Sequence, residues 1–334
     1  MNPTFFRFPP FARDQIAPEL CSDRSKHVIS IRPLAFVVIA IIGLTFGTAS
    51  AFSQQTTLPG NRPNDTERGR GQSREGNKED RQKGGGRGQQ AASFQTEVPE
   101  HSWDIVAARP TANSITLSVL AYRETEGYIS YGTESGKYTS GSPKRLLRSG
   151  QPIEILIGGL SPNTNYYYKF CSRPKGVERF DCGSELMFVT ARPAGSDFTF
   201  AIQADSHLDD GVDLATYKRS LTNIADARPD FMIDLGDTFM TDKYPEYKLA
   251  QSQYLAQRYY LGLVSRSIPL FLTIGNHDGE AGWRRGGGDE NIFDWSNTNR
   301  KMYFPNPVPN EFYSGNTIRD RKLGDLQDYF SWEW

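Results

Sequence analysis

The sequence predicts an all-β sandwich over residues 99–193, followed by an α/β domain with a largely parallel sheet over residues 194–334. Three observations predict it. Residues 99–193 hold several short apolar-alternating segments bounded by turn residues, the pattern of a sandwich. From residue 194 apolar runs alternate with segments of helical spacing, which implies βαβ units. Three of those runs stop at chemistry-bearing residues: Asp205-Ser206-His207, Gly236-Asp237 and Gly275-Asn276-His277-Asp278.

Taken in order, residues 1–51 read as an export signal. The apolar run Leu34–Phe46 is shorter than the ~20 residues a bilayer span needs, and it ends in the A-x-A pattern of Thr48-Ala49-Ser50-Ala51. The expected location is therefore extracytoplasmic, periplasmic or secreted, without stable membrane association after cleavage. The alternative is an uncleaved membrane anchor in residues 34–46. Residues 52–98 are rich in Gly, Arg, Gln and Asn, nearly free of large apolar residues, and read as a solvated, disordered linker. Between Arg62 and Arg87 eight Lys/Arg face five Asp/Glu, and the whole chain carries a formal net charge of −1. Neither balance calls for a nucleic-acid partner.

Within 99–193, Ser114–Leu120 alternates with period two, Gly127–Gly132 is a second strand, and Ile153–Ile157, Tyr166–Phe170 and Met187–Thr190 follow. Cys171 and Cys182 flank a loop, and an oxidising compartment makes a disulfide between them the expectation. Two buried or partly buried thiols are the alternative. In the α/β part, Phe198–Ala204, Phe231–Leu235 and Pro269–Ile274 read as buried strands, with helices over Asp213–Ala227 and Tyr247–Val264. Residues 279–300 read as a polar, Gly-rich loop in which Arg284 and Arg285 are candidate contacts to a substrate phosphate.

Ligands of open α/β sheets bind at the carboxyl ends of strands, so the fold brings Asp205, His207, Asp237, Asn276 and His277 to one rim. Asp and His bind Zn, Mn or Fe, and an amide oxygen suits a harder ion. Two ions about 3.5–4 Å apart hold a bridging hydroxide and clamp a phosphoryl group. His277 next to Asp278 reads as a proton-transfer pair.

The three segments resemble the calcineurin-like metallophosphoesterase superfamily, whose pattern is D-x-H, G-D, G-N-H-D/E, a later H, and G-H-x-H. The stretch Leu160–Tyr166 resembles a corner of fibronectin type III domains, and the whole resembles bacterial phosphoesterases related to purple acid phosphatases. Tyr303–Pro307 and Tyr329–Trp334 resemble segments of that branch. The resemblance implies an α/β metallophosphoesterase β-sandwich flanked by helices, here its N-terminal part only, behind a fibronectin III-like domain. It implies two divalent or trivalent metal ions (Fe, Mn or Zn) and a phosphate-ester substrate. Asp205 and His207 would bind the first ion, Asp237 would bridge, Asn276 would bind the second, and His277 would be the proton donor supported by Asp278. Three departures qualify this, one of them that the first segment is D-x-H, where purple enzymes have a shorter-ligand pattern. Met240 stands where purple enzymes have a metal-binding Tyr. No histidine follows His277, so the chain reads as a fragment with an under-coordinated second ion and an exposed strand edge. The competing functional reading is an inactive fragment, or an extracellular binding protein with a partial metal site.

Overall fold

The computed structural model describes residues 4–8, 93–286, 288 and 290–334. The apolar run 34–46 and most of the linker lie outside the described residues. β1 (Thr4–Phe8) comes first. The sandwich follows with β2 (Trp103–Ala108), β3 (Ser114–Ala121), β4 (Thr125–Gly132), β5 (Ser140–Gly141) and β6 (Arg145–Leu147). It continues through β7 (Ile153–Gly158), β8 (Asn165–Pro174), β9 (Asp181–Cys182) and β10 (Leu186–Val189). β2, β3 and β7 form one antiparallel sheet. β10, β8, β4 and β5 form the other, with β6 beside β4 and β9 beside β8.

The period-two alternation places Ile115, Leu117 and Val119 of β3 inward, against Ile129, Tyr168 and Phe170 from the facing sheet. At the turn before β8, the Ser161 N–H donates to the Tyr166 hydroxyl at 2.8 Å. That contact is a tyrosine corner, which fixes the crossing between the sheets. Cys171 and Cys182 are direct partners across β8 and β9 and are joined by a disulfide. The sequence reading passes over β2 because β2 is buried along nearly its whole length. Ile105 and Ala107 face the sandwich core, whereas Val106 faces a second core shared with the α/β part. Burial on both faces erases the alternation that marks a half-buried strand.

The α/β part runs β11 (Phe198–Gln203), α1 (Leu214–Ala227), β12 (Phe231–Asp234), α2 (Gln251–Ser265), β13 (Leu270–Leu272) and α3 (Ile292–Tyr303). β11, β12 and β13 are parallel neighbours in that order. β1 adds an antiparallel edge strand to β11, so part of the segment read as a leader is paired with the sheet. Asp213 caps α1 by accepting from the amides of Ala215 and Thr216. No helix among the described residues is long and apolar enough to cross a membrane.

Two expectations are corrected. Residues 279–300 are not a loop throughout, because α3 begins at Ile292 with the Asn291 side chain as its cap. Its buried side is largely polar, with Ser296, Asn297 and Arg300 fully buried, so apolar periodicity does not reveal it. Nor is the β13 edge left open. The Asn306 carboxamide copies a strand partner there, accepting from the Leu272 amide at 3.1 Å and donating to the Leu272 carbonyl at 2.6 Å.

α2 joins the two parts. Its apolar side shares one core with Val106 and Leu120 of the sandwich and with Ala201, Met232 and Leu272 of the parallel strands. Arg258, fully buried on α2, donates to the Ser118 carbonyl at 2.7 Å and to the Tyr303 carbonyl. Burial lowers its guanidinium pKa to about 10. One side chain thus ties β3, α2 and the end of α3. Arg258→Ala removes the contacts to Ser118 and Tyr303 together, and unfolding in urea should show a loss on the order of 3 kcal/mol. A loss below about 1 kcal/mol would mean that Arg258 does not hold the parts together.

Candidate metal centre

The three chemistry-bearing segments leave the carboxyl ends of β11, β12 and β13, and the backbone interlocks them. The Asp205 amide donates to the Gly236 carbonyl at 3.0 Å, and the Thr273 amide to the Asp234 carbonyl at 2.8 Å. Gly236 (φ +92°) and Gly275 pass so close that a Cβ on either would strike the backbone of the other turn; glycine alone fits both. Asp205, His207 and Asp237 then place one ligand atom each within 4.8 Å of one another. Asp205, His207, Leu208, Asp237 and Met240 all have positive φ. Such a concentration of left-handed backbone belongs to a site whose surroundings over-determine it.

Two buried carboxylates underlie the cluster. Asp278 accepts from the amides of Asp237 (3.0 Å), Thr238 (2.8 Å), Phe239 (2.7 Å) and Gly275 (2.8 Å). It therefore clamps the turn after β12 to the turn after β13. Burial drives its pKa up to about 6 against the pull of those amides. Asp234 accepts from Gln203 Nε2, the Gly236 amide and Thr238 Oγ1, and burial raises its pKa too. Asp237 accepts the His277 amide on Oδ1 at 2.8 Å, which leaves Oδ2 for another partner.

The pairing of His277 with Asp278 is corrected by this geometry. Asp278 turns inward to the amides, whereas His277 Nδ1 lies 3.1 Å from both carboxylate oxygens of Asp242. Arg284 Nη2 donates to Asp242 Oδ2 at 2.6 Å, so Arg284 braces the histidine's partner. Arg285 turns away, pairing with Asp320 and lying over the Phe293 ring. It is not part of the cluster. Asn276 is exposed on the turn between Gly275 and His277, and among the described residues its carboxamide has no hydrogen-bond partner.

Other supports come from residues that sequence reasoning misses. Gln253 and Gln257 stand one turn apart on α2. Gln253 Nε2 donates to the carbonyls of His207 and Thr238, and Gln257 Nε2 to Ser206 Oγ and the Thr238 carbonyl. Glu280, two residues past Asp278, forms a fully buried ion pair with Arg300 at 2.6 Å. No sequence signal marks Asp242 or the glutamines. Their roles depend on where a turn and a helix face come to rest.

The donor set fits a divalent cation. Among the described residues His207 Nε2 is buried without a hydrogen-bond partner; it lies 3.4 Å from Asp205 Oδ1, but outside hydrogen-bond geometry. Asp205 and Asp237 lie in the cluster with the buried Asp234 and Asp278 beneath them, and among the described residues no Lys or Arg forms an ion pair with any of the four. A cation answers both the orphaned nitrogen and the accumulated negative charge.

Residues 198–332 match the family model of the calcineurin-like phosphoesterases. Probable purple acid phosphatase 20 of Arabidopsis thaliana is 48% identical over 60 residues, 16% of this chain and 14% of that protein. The structure of PhoD superposes with a TM-score of 0.44 at 12% identity, covering 62% of this chain and 46% of that one. Purple acid phosphatase PPD1 from yellow lupin (Lupinus luteus) gives a TM-score of 0.41 at 17% identity, covering 63% and 41%. This chain spans less than half the length of each of these relatives.

The two aspartates should separate cleanly on substitution. In Asp278→Asn a carboxamide NH2 faces amide N–H groups, and unfolding in urea should show a loss of about 3 kcal/mol. In Asp242→Ala the fold should persist, while the hydrogen-bonded His277 Nδ1 proton resonance disappears from the NMR spectrum. Loss of that resonance in Asp278→Asn with an intact fold would reverse the assignment.

Proposed function

Taking residues 198–332 as a calcineurin-like phosphoesterase domain, we propose that this protein is a metal-dependent phosphoric-ester hydrolase. The observation that carries the reading is the Asp205–His207–Asp237 cluster with its unpartnered histidine nitrogen. Those three residues would hold one ion, and Asp237 with Asn276 would offer oxygens to a second. Bound ions supply a polarised phosphoryl oxygen and an activated water.

The remaining chemistry belongs to side chains of this chain. Asp242 holds His277 through Nδ1, which leaves Nε2 to pass a proton to the departing oxygen of the ester. Arg284 holds Asp242, so a residue on the following turn sets the orientation of the proton donor. Asp278 keeps His277 and Asp237 in register by clamping the backbone on both sides. An extracytoplasmic location belongs to the same proposal, supported by the A-x-A leader pattern and the Cys171–Cys182 disulfide.

A second reading, a metal-binding protein without hydrolytic turnover, draws on one observation. His207 and His277 are the only histidines in the α/β part, so the second ion would rest on oxygen donors alone.

Hydrolysis of an aryl phosphate separates the two readings. Turnover should require added Mn2+, Fe2+ or Zn2+ and stop on chelation. Asp237→Asn should fall by on the order of 100-fold or more, since even outer-sphere partners of a metal cost 10–100-fold. Equal turnover in the parent and in Asp237→Asn would remove the hydrolase reading.

A further inference from the structure

Phe94 and Gln95, near the end of the stretch that reads as a solvated linker, are half-buried on the protein. Phe94 pairs with Asp209 in an isolated antiparallel bridge. Its ring stacks on Tyr244 with the centroids 4.4 Å apart. The Gln95 amide donates to the Leu208 carbonyl at 2.7 Å. Gln95 Nε2 donates to the carbonyls of Asp209 and Val212, both at 2.8 Å. One residue thus satisfies three carbonyls of the loop that carries His207.

That loop needs outside support. Asp205 (φ 57°), His207 (φ 31°) and Leu208 (φ 58°) are all left-handed, a conformation that costs an ordinary residue about 1–3 kcal/mol and persists only where its surroundings hold it. Gln253 supplies one hold, through the His207 carbonyl. The Gln95 strap supplies the other from a separate part of the chain. Tyr244 connects the two, because it lies against Phe94 and its hydroxyl donates to Gln253 Oε1 at 3.0 Å. The bonds that place the Asp209 backbone also bring Asp209 Oδ2 within 3.5 Å of His207 Nδ1. A carboxylate beside one nitrogen of an imidazole fixes which way the other nitrogen points. That other nitrogen is the unpartnered Nε2.

We propose that Gln95, anchored by Phe94, is a positioning residue of the metal centre, holding the Leu208–Val212 backbone so that Asp209 and His207 keep Nε2 turned toward the cation. This rests on the metal-centre reading and adds to it a part of the chain that lies outside residues 198–332, which match the family model. Neither Phe94 nor Gln95 touches the ion or the substrate, and both act through His207.

Three variants test the strap. Gln95→Met keeps the side-chain length and loses its donors, Phe94→Ala loses the ring, and Phe94→Tyr keeps it. Calorimetric titration with Mn2+ should show about tenfold weaker binding in Gln95→Met and in Phe94→Ala, the size of loss that follows removal of an outer partner of a metal ligand. Phe94→Tyr should bind as the parent does. The thermal midpoint of the metal-free chain should stay at the parent value in all three. Unchanged Mn2+ affinity in Gln95→Met would overturn the proposal. So would a metal-free midpoint that falls together with the affinity, since the strap would then be a general support of the fold.

If the parent takes up no Mn2+, the metal-centre reading fails by itself, and hydrogen exchange in the metal-free chain still tests the strap. The Val212 amide donates to the Asp209 carbonyl at 3.0 Å. In Gln95→Met it should exchange several-fold faster, while the Met232 amide in β12 keeps its rate. Equal exchange of Val212 in parent and variant would overturn the role assigned to Gln95.

Discussion

A single carboxylate organises the candidate site. Asp278 accepts four backbone amides from two turns that are far apart in sequence. Charge-assisted bonds of this kind contribute about 1.5–3 kcal/mol each, and removing a carboxylate from water offsets much of that sum. The pKa pushed up to about 6 records the unfavourable part of the balance. The gain is positional. With the turns after β12 and β13 fixed together, Gly236 and Gly275 can touch, Asp237 meets the His277 amide, and Asp205 and His207 arrive from β11 beside them.

α2 carries this arrangement into the rest of the molecule. One side of the helix presents Gln253 and Gln257 to the turns holding Ser206, His207 and Thr238. The other shares a core with sandwich residues Val106 and Leu120, and Arg258 reaches Ser118. The sandwich therefore bears on the site through α2, and also through Arg109, which donates to the carbonyl of Asn306 beside β13. α3 acts from the far side through Arg300 and Glu280, which fix where the His277 turn ends.

Much of this was legible in the sequence, and the exceptions have physical causes. The parallel strands showed as continuous apolar runs, and three of the polar residues closing them, Asp205, His207 and Asp237, do come together. Asp278 was misread because neighbours in a chain suggest neighbours in space. In a tight turn consecutive side chains diverge, so His277 meets Asp242 while Asp278 faces the amides. Asp242 lies beyond a left-handed Met240 (φ 47°) that bends the chain back, and no spacing rule anticipates such a contact. α3 escaped because its buried side is polar, with Asn297 and Arg300 both donating to Glu280, rather than following apolar periodicity. The β13 edge read as open because a strand partner was sought in backbone, whereas a side-chain amide supplies it.

The donor set turns on two carboxylates, Asp205 and Asp237, and one imidazole nitrogen without a partner among the described residues, which together fit a cation. Calorimetric titration of the purified chain with Mn2+ or Zn2+ tests that fit most directly. The account predicts at least one tightly held ion per chain, a rise in thermal midpoint on binding, and loss of both in His207→Ala. A chain that binds no ion, or binds one equally well without His207, would contradict it.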